Sequence, residues 1–302
     1  MINHTQSLLT IISIIFFSSC SFQPTSQPPK YDFKYDLSAP SKHYELPKYL
    51  KEISGLSTRT DKKIICLQDE EGLVFQYNTE KKEVTKEFKF GKKNDYEGIE
   101  FVREIIYALR NDGTIYEIKN FDSKKQKTKK YTTFLDADYD TEGLGYDAKN
   151  HQLLIACKEK AGDRKDWLLK KAIYGFDLKT KKLLEKPVHL IDLEEIHQVL
   201  NNSDFQVYAT QILSFLGGKA GNHFFKPAGI AVHPKTSDLY IVSTVGKILV
   251  VLSPSSKVLY AEPLNPKLFR QPEGITFLSD GTLLISNEGA GKRANILKFK
   301  ML

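Results

Sequence analysis

The chain has 302 residues, 41% hydrophobic and 11% aromatic, enough apolar side chain for a sizeable core and too much for an intrinsically disordered protein. Its net charge of +7 is spread along the sequence. The densest basic run, Lys124 to Lys130, has no aromatic residue among its lysines, so it reads as a solvated loop between strands and not as a nucleic-acid surface.

The first 20 residues differ in kind. Leu8 to Phe17 is an apolar run too short to span a bilayer but of the right length for a signal-peptide core. It ends in Ser18-Ser19-Cys20, which is similar to a bacterial lipobox, where small residues precede the cysteine that is lipidated after cleavage. Phe17 stands where Leu is usual, and no Lys or Arg precedes the apolar core, so an ordinary cleaved signal with an incidental cysteine is the alternative. Residues 1–19 are therefore expected to be a signal peptide and Cys20 a palmitate-type lipid anchor. Residues 20–42, rich in Pro, Ser and Gln at their start, are expected to be the tether. The expected location is the cell envelope, on an outer membrane or cell surface in preference to an inner one, with the membrane as partner through Cys20.

Residues 43–302 carry a repeat. Ile53-Ser54-Gly55-Leu56, Tyr96-Glu97-Gly98-Ile99, Thr141-Glu142-Gly143-Leu144, Pro227-Ala228-Gly229-Ile230 and Pro272-Glu273-Gly274-Ile275 share a small or acidic residue, a glycine and an aliphatic residue. The glycines are 43, 45, 86 and 45 residues apart, and a period near 45 is that of a four-stranded propeller blade. Short apolar strands and turn residues such as Asn111-Asp112-Gly113 follow each motif, which favours an all-β, five-bladed β-propeller. The long gap leaves six blades as the alternative. Its contents argue for five, since residues 151–191 complete one blade. From 193 to 216 the period becomes helical, through Phe205, Tyr208, Ile212 and Leu216, with Asp192 and Glu195 as a capping-box entrance. The chain stops after the third strand of the last blade, so either His43–Pro47 or Tyr31–Tyr35 must supply the fourth. Cys66 and Cys157 fall two blades apart, too far for a disulfide, and read as buried thiols.

Taken as an ordered set, several motifs resemble the SdiA-regulated family of bacterial exported propellers over roughly residues 43–302. They are Glu52-Ile53-Ser54-Gly55-Leu56-Ser57, Tyr96-Glu97-Gly98-Ile99-Glu100, Glu142-Gly143-Leu144-Gly145-Tyr146, Lys158-Glu159-Lys160, Ala228-Gly229-Ile230-Ala231-Val232-His233-Pro234 and Gln271-Pro272-Glu273-Gly274-Ile275. The resemblance implies a five-bladed propeller, distantly similar to NHL-repeat propellers, with a bound calcium ion. It implies no defined reaction. Ala228 departs from the pattern, standing where a polar residue is expected.

In a blade the inner strand starts, and the second strand ends, on one face of the ring. Glu97, Glu142 and Glu273 are thus expected to converge near the axis. Second strands ending in Asp69-Glu70, Arg110-Asn111-Asp112, Lys158-Glu159 and Asn287-Glu288 surround them. Hard oxygen donors without matching His or Cys favour calcium or magnesium, with Glu97, Glu142, Glu273, Glu159, Asn111 and Glu288 as candidate ligands. Alternatively, Arg110 and Lys158 neutralise the acids and no metal binds. Asp136, Asp138 and Asp140 only faintly match an EF-hand loop and read as rim acids, and His233 reads as structural. No nucleophile elbow, Walker loop or zincin motif occurs. The expected function is a monomeric, envelope-anchored, calcium-binding module for a protein, glycan or small ligand. A calcium-dependent propeller hydrolase, lactonase- or phytase-like with Glu159 or Glu288 as base, and a purely structural scaffold are the alternatives.

Overall fold

A computed structural model of the chain describes residues 31–201 and 224–302. The expected signal peptide, Cys20 and the helical positions from Phe205 to Leu216 lie outside the described residues. The compact unit described below runs from Phe33 to Leu302, so of the residues expected as tether, those from Phe33 onward belong to it.

The strands in chain order are β1 (Lys42–Glu45), then β2 (Ile53–Thr60), β3 (Lys63–Gln68), β4 (Leu73–Asn78) and β5 (Glu83–Lys89), which form blade one. Blade two is β6 (Tyr96–Val102), β7 (Ile105–Arg110), β8 (Ile115–Lys119) and β9 (Lys127–Tyr131). Blade three is β10 (Thr141–Asp147), β11 (Gln152–Cys157), β12 (Lys170–Asp177) and β13 (Lys182–Asp192), followed by the helix α1 (Leu193–Asn201). Blade four is β14 (Pro227–Val232), β15 (Leu239–Ser243), β16 (Ile248–Leu252) and β17 (Val258–Pro263). Blade five is β18 (Pro272–Phe277), β19 (Leu283–Asn287) and β20 (Asn295–Phe299), completed by β1. The protein is a five-bladed all-β propeller, and every blade is an antiparallel four-stranded sheet.

Burial follows position in the blade. The second and third strands, such as Ile64-Ile65-Cys66-Leu67, are packed on both faces and read as unbroken apolar runs. The outer strands of blades one and two carry lysines and are largely exposed, which keeps their free edges from pairing with other chains. The Lys124–Lys130 run, expected as a loop, is in part such a strand: from Lys127 it is β9. There Lys129 and Lys130 lie over the rings of Tyr131 and Tyr116. Tyr131 directly follows the run, and Tyr116 faces Lys130 from the neighbouring strand.

The core is divided into wedges between adjacent blades. Cys66 packs between blades five and one, and Cys157 between blades two and three, both as buried free thiols. Ring closure falls to β1, with His43 opposite Leu297 and Tyr44 opposite Ile296. Tyr35 takes no place in the sheet. Its hydroxyl donates to the carbonyl of Gly281 (2.6 Å) and lies 2.9 Å from Nε2 of His233, joining the N-terminal strap to blades four and five. Phe33 stacks on Tyr260 at 4.3 Å, and the Leu302 N–H donates to the Lys34 carbonyl.

The capping box forms by half. Asp192 accepts from the Glu194 N–H at 2.9 Å, but Glu195 accepts from the Val258 N–H of β17 at 3.1 Å and so ties α1 to blade four. Among the described residues no helix is long and apolar enough to cross a membrane.

Candidate functional site at the channel mouth

The repeated motif builds the centre of the ring in two layers. Its aliphatic residues, Leu56, Ile99, Leu144, Ile230 and Ile275, one from each blade, are all buried and close the axis to a space of about 10 Å³. That is room for one water at most. The motif glycines allow this approach: a Cβ on Gly229 would lie 2.3 Å from the Glu273 carbonyl oxygen. The residues before the glycines face outward from this plug and floor a cup of about 270 Å³.

Five carboxylates line the cup: Asp69, Glu97, Glu142, Glu273 and Glu288. Three inner strands and the ends of two second strands deliver them. The lopsidedness of the repeat is preserved, since Ser54 and Ala228 complete the floor without adding charge. Of the six residues expected from the sequence, four meet here: Glu97, Glu142, Glu273 and Glu288. Asn111 instead donates to the carboxylate of Asp95 at 2.5 Å, and Glu159 is ion-paired with Lys226; neither lines the cup. Asp69, at the end of β3, joins the cup in the way Glu288 does from β19.

Two lysines reach in. Lys158 is ion-paired with Glu142 and lies 3.5 Å from Asp140. Burial opposes its charge, but Glu142 and Asp140 outweigh that and hold the ammonium pKa up. Lys226 lines the wall while paired with Glu159. Arg110 stays out, paired with Asp112 of its own turn. Beneath the loop, Lys171 is 1% exposed, and its ammonium donates to the carbonyls of Lys158 (2.6 Å) and Glu159 (3.1 Å). Burial pulls its pKa down to about 8. Lys171 therefore pins the backbone that aims Lys158 at Glu142.

Two ammoniums, one of them taken up by Glu159, do not balance five acids, and the proton affinities of the acids show it. Burial first, then the charge of Glu142, pushes Glu97 far up and Glu273 to about 8. Burial with Asp69 nearby lifts Glu288 to about 7, and burial with Glu52 nearby lifts Asp69 to about 6. Glu142 is raised by burial despite its lysine. Two side chains soften the cost. Thr244 Oγ1 lies 2.9 Å from Glu273 Oε1, and Gln271 Nε2 donates to Glu288 Oε2 at 2.6 Å. Oδ1 of Asp69 is buried without a hydrogen-bond partner.

In donor chemistry the cup fits a hard cation: its ligand atoms are carboxylate, amide and hydroxyl oxygens, and Asp69 has an oxygen to spare. Among the described residues, no three Asp, Glu, His or Cys side chains already stand at metal-ligand spacing. With Glu142 engaged by Lys158, the remaining acidic donors are Asp69, Glu97, Glu273 and Glu288.

No family model matches the chain, and no curated protein does. Solved structures do match in fold. The glutaminyl cyclase of Myxococcus xanthus is similar with a TM-score of 0.51 and 11% identity, covering 87% of this chain and 95% of that one. The PQQ-bound aldose sugar dehydrogenase of Streptomyces coelicolor gives 0.50 and 9%, covering 87% and 98%. A luciferin-regenerating enzyme gives 0.50 and 10%, covering 87% and 96%. Identities this low show the propeller architecture and nothing finer.

Proposed function

We propose that the protein is an envelope-anchored binding module whose channel mouth takes a calcium ion, held by Glu97, Glu273, Glu288 and Asp69 near the Lys158–Glu142 pair. The observation that carries this reading is the excess of buried carboxylates over cations in the cup at the channel mouth. A divalent cation relieves that repulsion, and hard oxygen donors suit calcium. The ordered motifs that resemble the SdiA-regulated family support the same ion, and the lipobox-like Ser18-Ser19-Cys20 supports export and anchoring. The fold does not choose between binding and catalysis, because the three similar structures carry three different enzyme names. The binding reading is preferred because nothing in the cup stands out as a dedicated base: Glu159, one of the two bases considered, is paired outside it, and Glu288 is bonded to Gln271.

The test is thermal unfolding of the purified protein with calcium, magnesium or chelator, beside a screen of lactones and phosphoesters. A calcium-specific rise in melting temperature without turnover is expected. Turnover that Glu142→Gln abolishes would replace the reading with a hydrolase. No response to calcium, with Glu97→Gln unchanged in stability, would remove the metal.

A further inference from the structure

A second cavity lies away from the acidic cup and shares no lining residue with it. It holds about 740 Å³ between blades three and four, in the size range of small-molecule sites. Its walls come from the β10–β11 turn, the middle of β13, the start of the β14–β15 connection and Pro254.

Local irregularities build it. The register of β12 and β13 shifts twice, around Tyr174, and this bulged stretch presents Leu184, Val188 and His189 to the cavity. Opposite, Gly175 has no side chain, and a Cβ there would lie 2.4 Å from Oε1 of Gln152; the glycine makes room for that amide. Across the gap, His189 Nδ1 lies 2.9 Å from the Ser256 hydroxyl of blade four, so the two walls are joined at one point.

The lining holds one carboxylate, Asp147, and one ammonium, Lys149. Burial works against the charge of Asp147, but Asn150 and Gln152 donate to its Oδ2 at 2.6 and 3.0 Å and hold its pKa down. Asp147 is thus an ionised group already satisfied by its neighbours. His189 and His233 are both shifted towards the neutral form by burial. His233 is saturated by Tyr35 and by the N–H groups of Lys235 and Thr236. The floor is aliphatic, with Leu154, Val188, Val232 and Leu239. The rest of the lining includes the amides of Asn150 and Gln152, each with one N–H given to Asp147, the imidazole of His189, whose Nδ1 meets Ser256, and the Ser237 hydroxyl, which leaves both donors and acceptors for a ligand.

We propose that this cavity is a second ligand site, for an uncharged glycoside-like molecule with adjacent hydroxyls on a ring that also bears an apolar group. Neighbouring hydroxyls each need a donor and an acceptor, which amides and a neutral imidazole supply together. The aliphatic floor takes the apolar group, and no unbalanced charge is present to reward an ion.

The probe is p-nitrophenyl β-D-glucopyranoside, with p-nitrophenyl phosphate as its charged counterpart, titrated into the full chain while the imidazole NMR signals of the histidines are followed. Saturable shifts of His189 with the glucoside, in the millimolar range usual for so small a ligand, and none with the phosphate are expected. Val188→Trp, which fills the cavity, should abolish the response at unchanged melting temperature. If that variant fails to fold, Leu184→Trp on the 40% exposed wall replaces it. Gln152→Ala should weaken binding at least several-fold. No saturable shift with the glucoside, equal shifts with the phosphate, or binding that survives the filled cavity would overturn the proposal.

Discussion

Lys158 and Glu142 form an ion pair in the mouth of the propeller, where the lysine is one-third exposed and the glutamate almost wholly buried. Lys158 comes from the loop after β11 and Glu142 from β10, and Lys171 holds the loop in place from below. Breaking the pair from one side strands a buried carboxylate. Lys158→Met should therefore cost about 3 kcal/mol at neutral pH, the lower end for buried pairs because the lysine is partly solvated. Adding Glu142→Gln to it should recover most of that loss. Urea unfolding of the two variants measures both effects.

The other acids of the cup make a prediction about pH. Unfolded, Asp69, Glu273 and Glu288 titrate at about 4, whereas folded they keep their protons up to about 6, 8 and 7. Between those limits the folded chain binds more protons than the unfolded one, so stability falls as pH rises. With chelator present, the melting temperature should drop from pH 5 to pH 8, and Glu273→Gln should flatten the drop. Acids held low, such as Asp112 and Asp147, titrate below this window; His189 and His233, which burial holds neutral, oppose the drop at its acid end, and Glu100 and Glu262, raised by burial, add to it. A melting temperature that rises across the range would contradict the account.

The same motif that carries the acids sets the packing. Gly229→Ala would drive a methyl into the backbone of blade five, where nothing flexible can give way. A loss of about 2–3 kcal/mol is expected, as for an overpacked core. Thermal unfolding detects it as a large downward shift.

Tyr35 tests the N-terminal strap. Tyr35→Phe keeps the ring, which packs edge-on to Tyr240 and against His233, but removes the hydroxyl shared by Gly281 and His233. A cost of about 1–2 kcal/mol is expected. His233→Gln should cost more, because it also disturbs the bonds from the Lys235 and Thr236 N–H groups, and the double variant should cost less than the sum, because the two residues share one bond.

Much of this was legible in the sequence because a propeller repeats itself. The spacing of Gly55, Gly98, Gly143, Gly229 and Gly274 locates all five inner strands, and the residue before each glycine locates the floor of the cup. The missing fourth strand of the last blade leaves His43–Pro47 and Tyr31–Tyr35 as candidates, and β1, at Lys42–Glu45, decides for the first. What the spacing cannot convey is which way a loop side chain turns. Asn111 is drawn to Asp95, 16 residues earlier, and Arg110 to Asp112, two residues on. Glu159 is drawn off by Lys226, 67 residues further on. Asp69 carried the same signal as Glu288, an acid at the end of a second strand, and was readable on that ground. The cavity beside His189 depends on a bulge between β12 and β13 and on Gly175 in β12, and neither leaves a mark in the repeat.

Calcium titrated calorimetrically into the chelator-stripped protein at pH 8, where the cup acids are most ionised, tests the central claim most directly. The account predicts saturable binding of one ion, weakened at least tenfold by Glu273→Gln and strengthened by Lys158→Met, which removes the competing ammonium. Absence of binding in both the unaltered chain and Lys158→Met would contradict it.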